Sequence, residues 1–168
     1  MKKLTDGTKM FADCTTLQYV NSHMGALDTA TDMFNGCTQL RNVYIHLASL
    51  SNGSGMFAGC TNLNGVLSQK ETSGKRDYIN LDKLTDGSRM FYKCNSLNAW
   101  YSDMAVLSNG AYMFGHTGLL NFAKNSNSNV AYALDELVNG TGMFIDTGSL
   151  DGAYMSAKKL VDGTEMFY

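Results

Sequence analysis

Hydrophobic residues recur along this chain at a fixed spacing, in a pattern anchored by the dipeptide Met-Phe. The dipeptide occurs seven times, and the intervals between successive copies are 23, 23, 34, 23, 30 and 23 residues. The dipeptides begin at Met10, Met33, Met56, Met90, Met113, Met143 and Met166. Four intervals are identical and the other two equal 23 plus 11 or 7 residues, so the pattern indicates a repeat with two inserts.

Other positions keep the same phase relative to Met-Phe. A Leu stands six residues before each Met, at Leu4, Leu27, Leu50, Leu84, Leu107, Leu137 and Leu160. A Gly stands three residues before Met in six of the seven copies, and Ala30 is the exception. This Gly usually follows Asp or Asn, a pair typical of turns in which Gly takes a positive φ. The chain contains no Pro, so we expect these pairs to make its turns.

Each unit predicts two elements. Met, Phe and the residue four positions after Met lie about one helical turn apart, which predicts a short helical or 3₁₀ turn with an inward face. Further along, apolar and polar residues alternate, which predicts a short strand. The inward strand residues are expected to be Val20, Ser22, Met24; Val43, Ile45, Leu47; Trp100, Ser102, Met104; Met155 and Ala157. In the two interrupted units, the strand is expected to resume at residues 78–81 and 130–134.

A 23-residue unit cannot bury its own apolar face, whereas stacked units share one core. The predicted fold class is therefore an α/β repeat, a right-handed solenoid of the leucine-rich-repeat type with about six coils. Its strands form one parallel β-sheet, with the helical or 3₁₀ turns opposite. Residues 1–168 form one domain with inserts near 68–77 and 122–129, which are either binding loops or tolerated surface variation.

The units MFADCTTL, MFNGCTQL, MFAGCTNL and MFYKCNSL carry a family resemblance. They resemble the BspA-type leucine-rich repeat of bacterial surface proteins, in particular the subset with an MF-x-GC-x-x-L signature. The resemblance covers nearly the whole chain. It implies a curved parallel solenoid at the cell surface that binds proteins or host surfaces, with no catalytic residue.

Composition removes several functional classes. An apolar content of 44% over 168 residues is enough for a folded core. The 13 basic and 15 acidic residues give a net charge of -2, so the basic excess of a nucleic-acid-binding protein is absent. No stretch approaches the roughly 18 apolar residues of a membrane span, so we expect no membrane insertion.

Four cysteines share one phase of the repeat, at Cys14, Cys37, Cys60 and Cys94. The next two units carry Thr117 and Thr147 instead, which favours a small, semi-polar interior position and buried free thiols. The spacing lacks the close pairs of a metal site, although neighbouring units could bring two thiols within disulfide reach. Both redox states therefore stay open.

The outward strand positions form two stripes that we predict to bind a partner. The first stripe is Asn21, Tyr44, Tyr78, Tyr101, Ala131 and Tyr154. The second is His23, His46, Asn80, Asp103, Ala133 and Ser156. The candidate partner-binding residues are Tyr44, Tyr78, Tyr101, Tyr154, His23, His46, Asn80 and Asp103. Tyr suits recognition because it offers a large contact area with a polar tip, although a Tyr ladder can also serve only to stabilise a sheet.

No catalytic motif and no metal or cofactor motif is present, so we expect a non-enzymatic recognition module without a cofactor. The expected partner is a protein or a glycan, bound by a bacterial surface or adhesion protein. The alternative is an intracellular or phage-encoded inhibitor or effector, which fits the absence of an apolar leader in MKKLTDGTKM. Location is therefore left open. The chain starts and stops in the same repeat phase without polar caps, so it is either a segment of a longer protein or prone to end-to-end self-association.

Overall fold

The computed structural model describes residues 3–67, 79–97, 102, 104–118, 132–148, 150 and 155–168. Five strands are present in this part of the chain: β1 (Tyr19–His23), β2 (Asn42–His46), β3 (Gly65–Leu67), β4 (Tyr132–Ala133) and β5 (Met155–Ser156). All pairs are parallel, in the orders β1-β2-β3 and β4-β5. This arrangement confirms the prediction that the strands are parallel. The hand of the repeat stays a prediction.

The strands alternate between core and outer face as the sequence predicts. Val43, Ile45 and Leu47 are buried, whereas Tyr44 between them is exposed. Val20 lies opposite Val43 in the register, and Ser22 lies opposite Ile45. Side chains of successive strands therefore line up in columns along the stack.

The third strand differs from the expectation. We predicted that it resumes at residues 78–81, but β3 lies before the insert, at Gly65–Leu67. Residues 79–81 are not in a strand, although Ile79 and Leu81 are buried and Asn80 is exposed between them. Val66 already pairs with Val43, so the backbone completes the ladder before the insert begins. The inserts themselves and Tyr78 lie outside the described residues.

The segment around each Met-Phe pair is not helical. Overlapping turns replace the predicted helical or 3₁₀ turn, and the described residues contain no helix. In the first repeat, the N–H of Met10 donates to Gly7 O (3.1 Å) and the N–H of Cys14 donates to Phe11 O (3.2 Å). The third residue of each of these turns has a positive φ, 55° at Lys9 and 58° at Asp13. A helix requires negative φ throughout, so two left-handed residues per repeat exclude it.

The same two positions, immediately before Met and three residues after it, have positive φ in every repeat. Among the described residues, each non-glycine residue with positive φ occupies one of them: Lys9, Asp13, Asp32, Arg89, Lys93, Tyr112, His116, Asp146 and Glu165. Glycine fills four more of these positions, at Gly36, Gly55, Gly59 and Gly142. The turn geometry is therefore set by the repeat and not by the residue that happens to stand there.

Backbone hydrogen bonds join each of these segments to the next repeat. The N–H groups of Gly7, Lys9, Phe11 and Asp13 donate to carbonyl groups of the second repeat, and four equivalent bonds of 2.7–3.0 Å occur at each later junction. The turn side of the repeat is thus a hydrogen-bonded ladder, as the strand side is. These bonds pair the backbone N–H and C=O groups that a helix would have paired within itself.

The glycine of the Asp/Asn-Gly pair does not have the positive φ that the sequence suggested. It is closely packed, although Ala30 occupies the same position in the second repeat. A Cβ atom at Gly87 would lie 3.0 Å from Met113 Sδ and 3.2 Å from Leu107 Cδ1 of the next repeat. The preceding Asp or Asn makes the turn instead, since Asp6 Oδ1 accepts the N–H of Thr8 (2.9 Å). Equivalent bonds are made by Asn52, Asp86, Asn109, Asn139 and Asp162.

One apolar core runs through the described repeats. Its axis is a stack of phenylalanine rings with centroids 5.3–5.7 Å apart and planes within 9° of parallel. The stacked residues are Phe11, Phe34, Phe57, Phe91, Phe114, Phe144 and Phe167. Offset aromatic pairs at this distance add to the stability that burial already supplies.

Candidate functional site

The outer face of β1 and β2 brings several of the predicted binding residues together. We call it the sheet patch, and it consists of Tyr19, Asn21, His23, Asn42, Tyr44 and His46. The register pairs Tyr19 with Asn42, Asn21 with Tyr44, and His23 with His46. Of their inward neighbours, Val43 and Ile45 are buried in the core and Val20 packs against it, so period-two alternation directs the patch outward.

Two tyrosine side chains give the sheet patch its exposed apolar area. Tyr19 is 61% exposed and Tyr44 is 39% exposed. Alternation counted from Val20 predicts Tyr44 in the patch but leaves out Tyr19. Extending the alternation by one residue toward the N-terminus would have included it. An exposed tyrosine on a rigid strand offers a ring face and a hydroxyl group at little entropic cost.

The two histidines of the patch stack on each other. Their ring centroids are 4.5 Å apart and their planes are 5° from parallel. Gly25 makes room for this pair, since a Cβ atom there would lie 2.8 Å from His46 Cδ2. The prediction that these histidines are neighbours in successive repeats is confirmed. They present polar ring edges beside the tyrosines.

The other predicted site residues are divided between described and undescribed parts of the chain. Asn80 is exposed, and its Nδ2 donates to Asp82 Oδ2 (3.0 Å). In the register, the neighbour of Tyr44 in the third repeat is Leu67, so Leu67 takes the ladder position that we assigned to Tyr78. Tyr78, Tyr101, Asp103 and Tyr154 lie outside the described residues, and their role stays a prediction.

All four cysteines are free, but the prediction that they are buried is wrong for Cys14, which is exposed in the first repeat. Cys37, Cys60 and Cys94 are buried, and each Sγ donates to a phenylalanine carbonyl of the preceding repeat at 3.0–3.1 Å. Burial raises the pKa of Cys37 to about 11 and that of Cys60 to about 12. Burial also raises the pKa of Cys94 well above its usual value. These thiols are protonated at neutral pH and therefore are poor nucleophiles and metal ligands.

Among the described residues, no three His, Cys, Asp or Glu side chains converge as metal ligands would. No helix in the described part of the chain is long and apolar enough to cross a membrane. The sheet patch can therefore contribute ring faces, hydroxyl groups, imidazoles and amides to a partner, which is the chemistry of recognition.

Comparison with known proteins agrees with the repeat assignment. Residues 5–80 match the family model described as a BspA type leucine rich repeat region (6 copies). The match includes β1, β2 and β3 and therefore the whole sheet patch. No curated protein and no solved structure matches the chain.

Proposed function

Since residues 5–80 are a BspA-type leucine-rich repeat region, we propose that this chain is a non-enzymatic recognition module of a bacterial surface or adhesion protein. Its repeats form a right-handed solenoid, and the outer face of the strands binds a protein or a glycan. Repeat regions of this family generally mediate binding and are not catalytic. Solenoids commonly use such a surface because the repeat presents side chains in regular columns.

The observation that carries the proposal is the composition of the sheet patch. Tyr19 and Tyr44 are exposed on paired strands, beside the stacked pair His23 and His46. The strands fix the backbone that carries these rings. Binding a partner would therefore cost little side-chain entropy at these residues. Ring faces also stack on sugar rings, so the same patch suits a glycan as well as a polar peptide surface.

The experiment is a binding screen followed by substitution of the patch. The purified chain is applied to a glycan array and to an array of extracellular proteins, and a hit is measured by surface plasmon resonance. Tyr19→Ala with Tyr44→Ala is expected to weaken binding by at least ~10-fold, since interface tyrosines are frequent hot spots. Unchanged affinity in a folded double variant would contradict the proposal.

A matched control uses a tyrosine on the turn side of the repeats. Tyr112→Ala removes the same ring from a residue that lies between Arg89 and Gly142, away from the strands. This variant is expected to bind like the unsubstituted chain. Equal losses in both variants would indicate a general effect on folding, which circular dichroism would detect.

A second candidate function is that of an intracellular or phage-encoded inhibitor or effector that uses the same face. The favouring observation is that all four cysteines are free, as is usual in reducing compartments. The two candidates differ in location. Immunoblotting of surface-released and cytosolic fractions of the source cells separates them, because only a surface protein is released from intact cells by external protease.

A further inference from the structure

The turn side of the fourth and fifth repeats carries a group of cationic and aromatic side chains. We call it the cationic cluster, and it consists of Arg89, Tyr92, Lys93, Tyr112 and His116. Arg89 and Lys93 are exposed, whereas the three rings are half-buried. Each residue stands one before, two after or three after the Met of its repeat, and that Met and its Phe are buried in the core. The cluster therefore faces outward, and it shares no residue with the sheet patch.

Contacts between these side chains join them into one group. The Arg89 guanidinium lies 5.8 Å from the centroid of the Tyr112 ring, and Lys93 Nζ lies 5.3 Å from the centroid of Tyr92. The Tyr92 ring meets Tyr112 edge to face at 6.3 Å and His116 at 5.2 Å. Cation–π contacts favour these positions of the two charges and leave N–H groups able to donate to a ligand.

Two glycines of the following repeats give the tyrosine rings their place. A Cβ atom at Gly115 would lie 3.3 Å from Tyr92 Cδ2, and one at Gly142 would lie 2.5 Å from Tyr112 Cε1. Each ring therefore rests against the backbone of the next repeat, where no side chain displaces it. The rings that carry the cations are in this way supported by the fold and are not free surface side chains.

The two cations of the cluster have no acid of their own. Among the described residues, the ion pairs are His116 with Asp146, Lys158 with Asp135, and Lys159 with Glu136. Neither Arg89 nor Lys93 is within salt-bridge distance of a carboxylate in that part of the chain. Two neighbouring positive charges are therefore available to an anionic ligand.

The backbone beneath the cluster is already fully used by the ladder between repeats. The N–H groups of Arg89 and Lys93 donate to carbonyl groups of the fifth repeat, at 2.8 and 3.0 Å. The carbonyl group of Tyr92 accepts the N–H of Gly59 from the third repeat (2.8 Å). An extended peptide would thus find no strand edge to pair with here. A ligand of this cluster has to bind through side chains alone.

Acidic residues stand on both sides of the cluster and limit its width. Asp32 in the second repeat and Glu165 in the seventh occupy the position of Arg89, and Asp146 in the sixth occupies the position of Lys93. Neighbouring repeats are about 5 Å apart, so the two repeats of the cluster span about 10 Å along the stack. A wide anionic partner would meet the flanking acids. The surface therefore suits a narrow anion.

We propose that the cationic cluster binds a glycan that carries carboxylates, such as a polyuronate. Carboxylates of the glycan pair with the guanidinium of Arg89 and the ammonium of Lys93, which are strong donors to that group. The hydroxyl groups of Tyr92 and Tyr112 and the imidazole of His116 bond the sugar hydroxyls beside them. This site is separate from the sheet patch and differs from it in requiring charge on the ligand.

The width and the chemistry of the cluster argue against other occupants. A folded protein buries about 800 Å² on each partner, which would extend well beyond two repeats and over the flanking acids. A flexible acidic peptide pays for its ordering on binding, and two cations without backbone pairing offset little of that cost. A nucleic acid needs a longer run of cations, and the net charge of -2 opposes it. A carboxylated glycan is narrow and stiff.

The test is isothermal titration calorimetry of the full chain with four carboxylated glycans: polygalacturonate, alginate, hyaluronan and polysialic acid. Each is compared with its carboxyl-reduced form, in which the same chain carries alcohols. We expect at least one of the four to bind, and its reduced form to bind at least ~10-fold more weakly. Arg89→Gln with Lys93→Gln is expected to weaken binding of the charged form by at least ~10-fold, because glutamine keeps a polar tip but removes the charge.

A matched control removes two other positive charges. Lys158→Gln with Lys159→Gln changes the net charge by the same amount, but these lysines are already paired with acids of the sixth repeat. This variant is expected to change the affinity by about 2-fold at most, since exposed charges at a distance are screened by salt. Circular dichroism of both double variants checks that each is folded.

Every other outcome overturns the proposal. If none of the four glycans binds, the cluster is not a carboxylated-glycan site. Equal binding of a reduced glycan would show that charge plays no part, and an equal loss in the lysine control would indicate general attraction of anions. Binding of a poly-glutamate peptide without any glycan would identify an acidic peptide as the occupant. Loss of glycan binding in Tyr19→Ala with Tyr44→Ala would assign the ligand to the sheet patch, whose own proposal does not depend on this one.

Discussion

The strand side and the turn side of the repeat are built to different degrees of regularity. On the strand side, the outer residues of β1 and β2 differ at two of three paired positions, since Tyr19 lies opposite Asn42 and Asn21 lies opposite Tyr44. On the turn side, four backbone hydrogen bonds join the repeats at each of the six junctions, and the phenylalanine stack continues beside them. The two predicted inserts lie outside the described residues.

This difference suggests separate roles: the turn side stabilises the stack, whereas the outer residues of the strand side are free to vary. The turn side fixes the spacing of the repeats through contacts that involve backbone and identical side chains. The strand side needs only its inward residues for the core, so its outer residues and loop lengths can change with little cost. The sheet patch and the inserts are therefore where we expect binding to differ between related repeats. The following substitutions test this division of roles.

The largest effect is expected from the phenylalanine stack. Phe57 is fully buried, with Phe34 and Phe91 centroids 5.4 and 5.6 Å away. Phe57→Ala is expected to lower the free energy of unfolding by ~3–5 kcal/mol, because it leaves a cavity and breaks the stack. Urea titration measures this loss. A loss comparable to that of Tyr44→Ala on the strand side would refute the division of roles.

The next effect is expected from the packed glycine of the turn. Gly87→Ala places a Cβ atom 3.0 Å from Met113 Sδ and should cost ~1–3 kcal/mol of overpacking. If the glycine served only chain flexibility, the same substitution would stabilise the protein by about 0.4–1 kcal/mol. The sign of the change in urea titration decides. Ala30 provides the matched control, because Ala30→Gly at the same position should destabilise mildly, by about 0.5–1 kcal/mol.

A third effect is expected at alkaline pH. The unfolded thiol ionises near its usual pKa of 9.0, whereas burial raises the folded-state pKa of Cys60 to about 12. The folded state therefore binds more protons above pH 9, and stability should fall between these values, by at most about 1.4 kcal/mol per pH unit for this thiol. The stability of the Cys60→Thr variant should fall less steeply with pH. Threonine is chosen because Thr117 and Thr147 stand at the same repeat position. If urea titrations give both proteins the same dependence of unfolding free energy on pH, the effect does not come from Cys60.

The smallest effect is expected in the sheet patch. His23→Ala removes one ring of the stacked pair and should cost only about 0.5–1 kcal/mol, because that ring is exposed. His23→Phe keeps a ring over His46 and should restore most of the loss in thermal unfolding. A loss of unfolding free energy as large as that for Phe57→Ala would mean that the outer strand residues stabilise the fold as much as the phenylalanine stack does. That result would contradict the comparison.

Repeat phase alone was enough to predict much of the fold. Identical residues at identical offsets must occupy equivalent environments in stacked repeats. That argument led from Met33, Phe34 and Cys37 to the buried columns and the parallel register. It also found the outward positions of His23, Tyr44 and His46. The family match over residues 5–80 confirms the resemblance for the first three of the four units that carry it, MFADCTTL, MFNGCTQL and MFAGCTNL.

The backbone of the turn segment was not predictable in the same way. Met, Phe and Cys at this spacing point inward in a helical turn and also in two consecutive turns with positive φ. The residues that take positive φ include Lys9, Arg89 and Tyr112, none of which favours that conformation. Only Gly55 and Gly142 in the same column hinted at it. Likewise, Asp-Gly predicts a turn with a positive φ at glycine, whereas this glycine has no positive φ and instead lies close to Met and Leu side chains.

The hydrogen-bonded junctions on the turn side also determine how the chain would respond to force. If the ends are pulled apart, each repeat peels away only when its four junction bonds break together. A released 23-residue repeat adds about 80 Å of extended chain. Tension would therefore be dissipated one repeat at a time, and the repeats still stacked would keep their shape while the end ones yield.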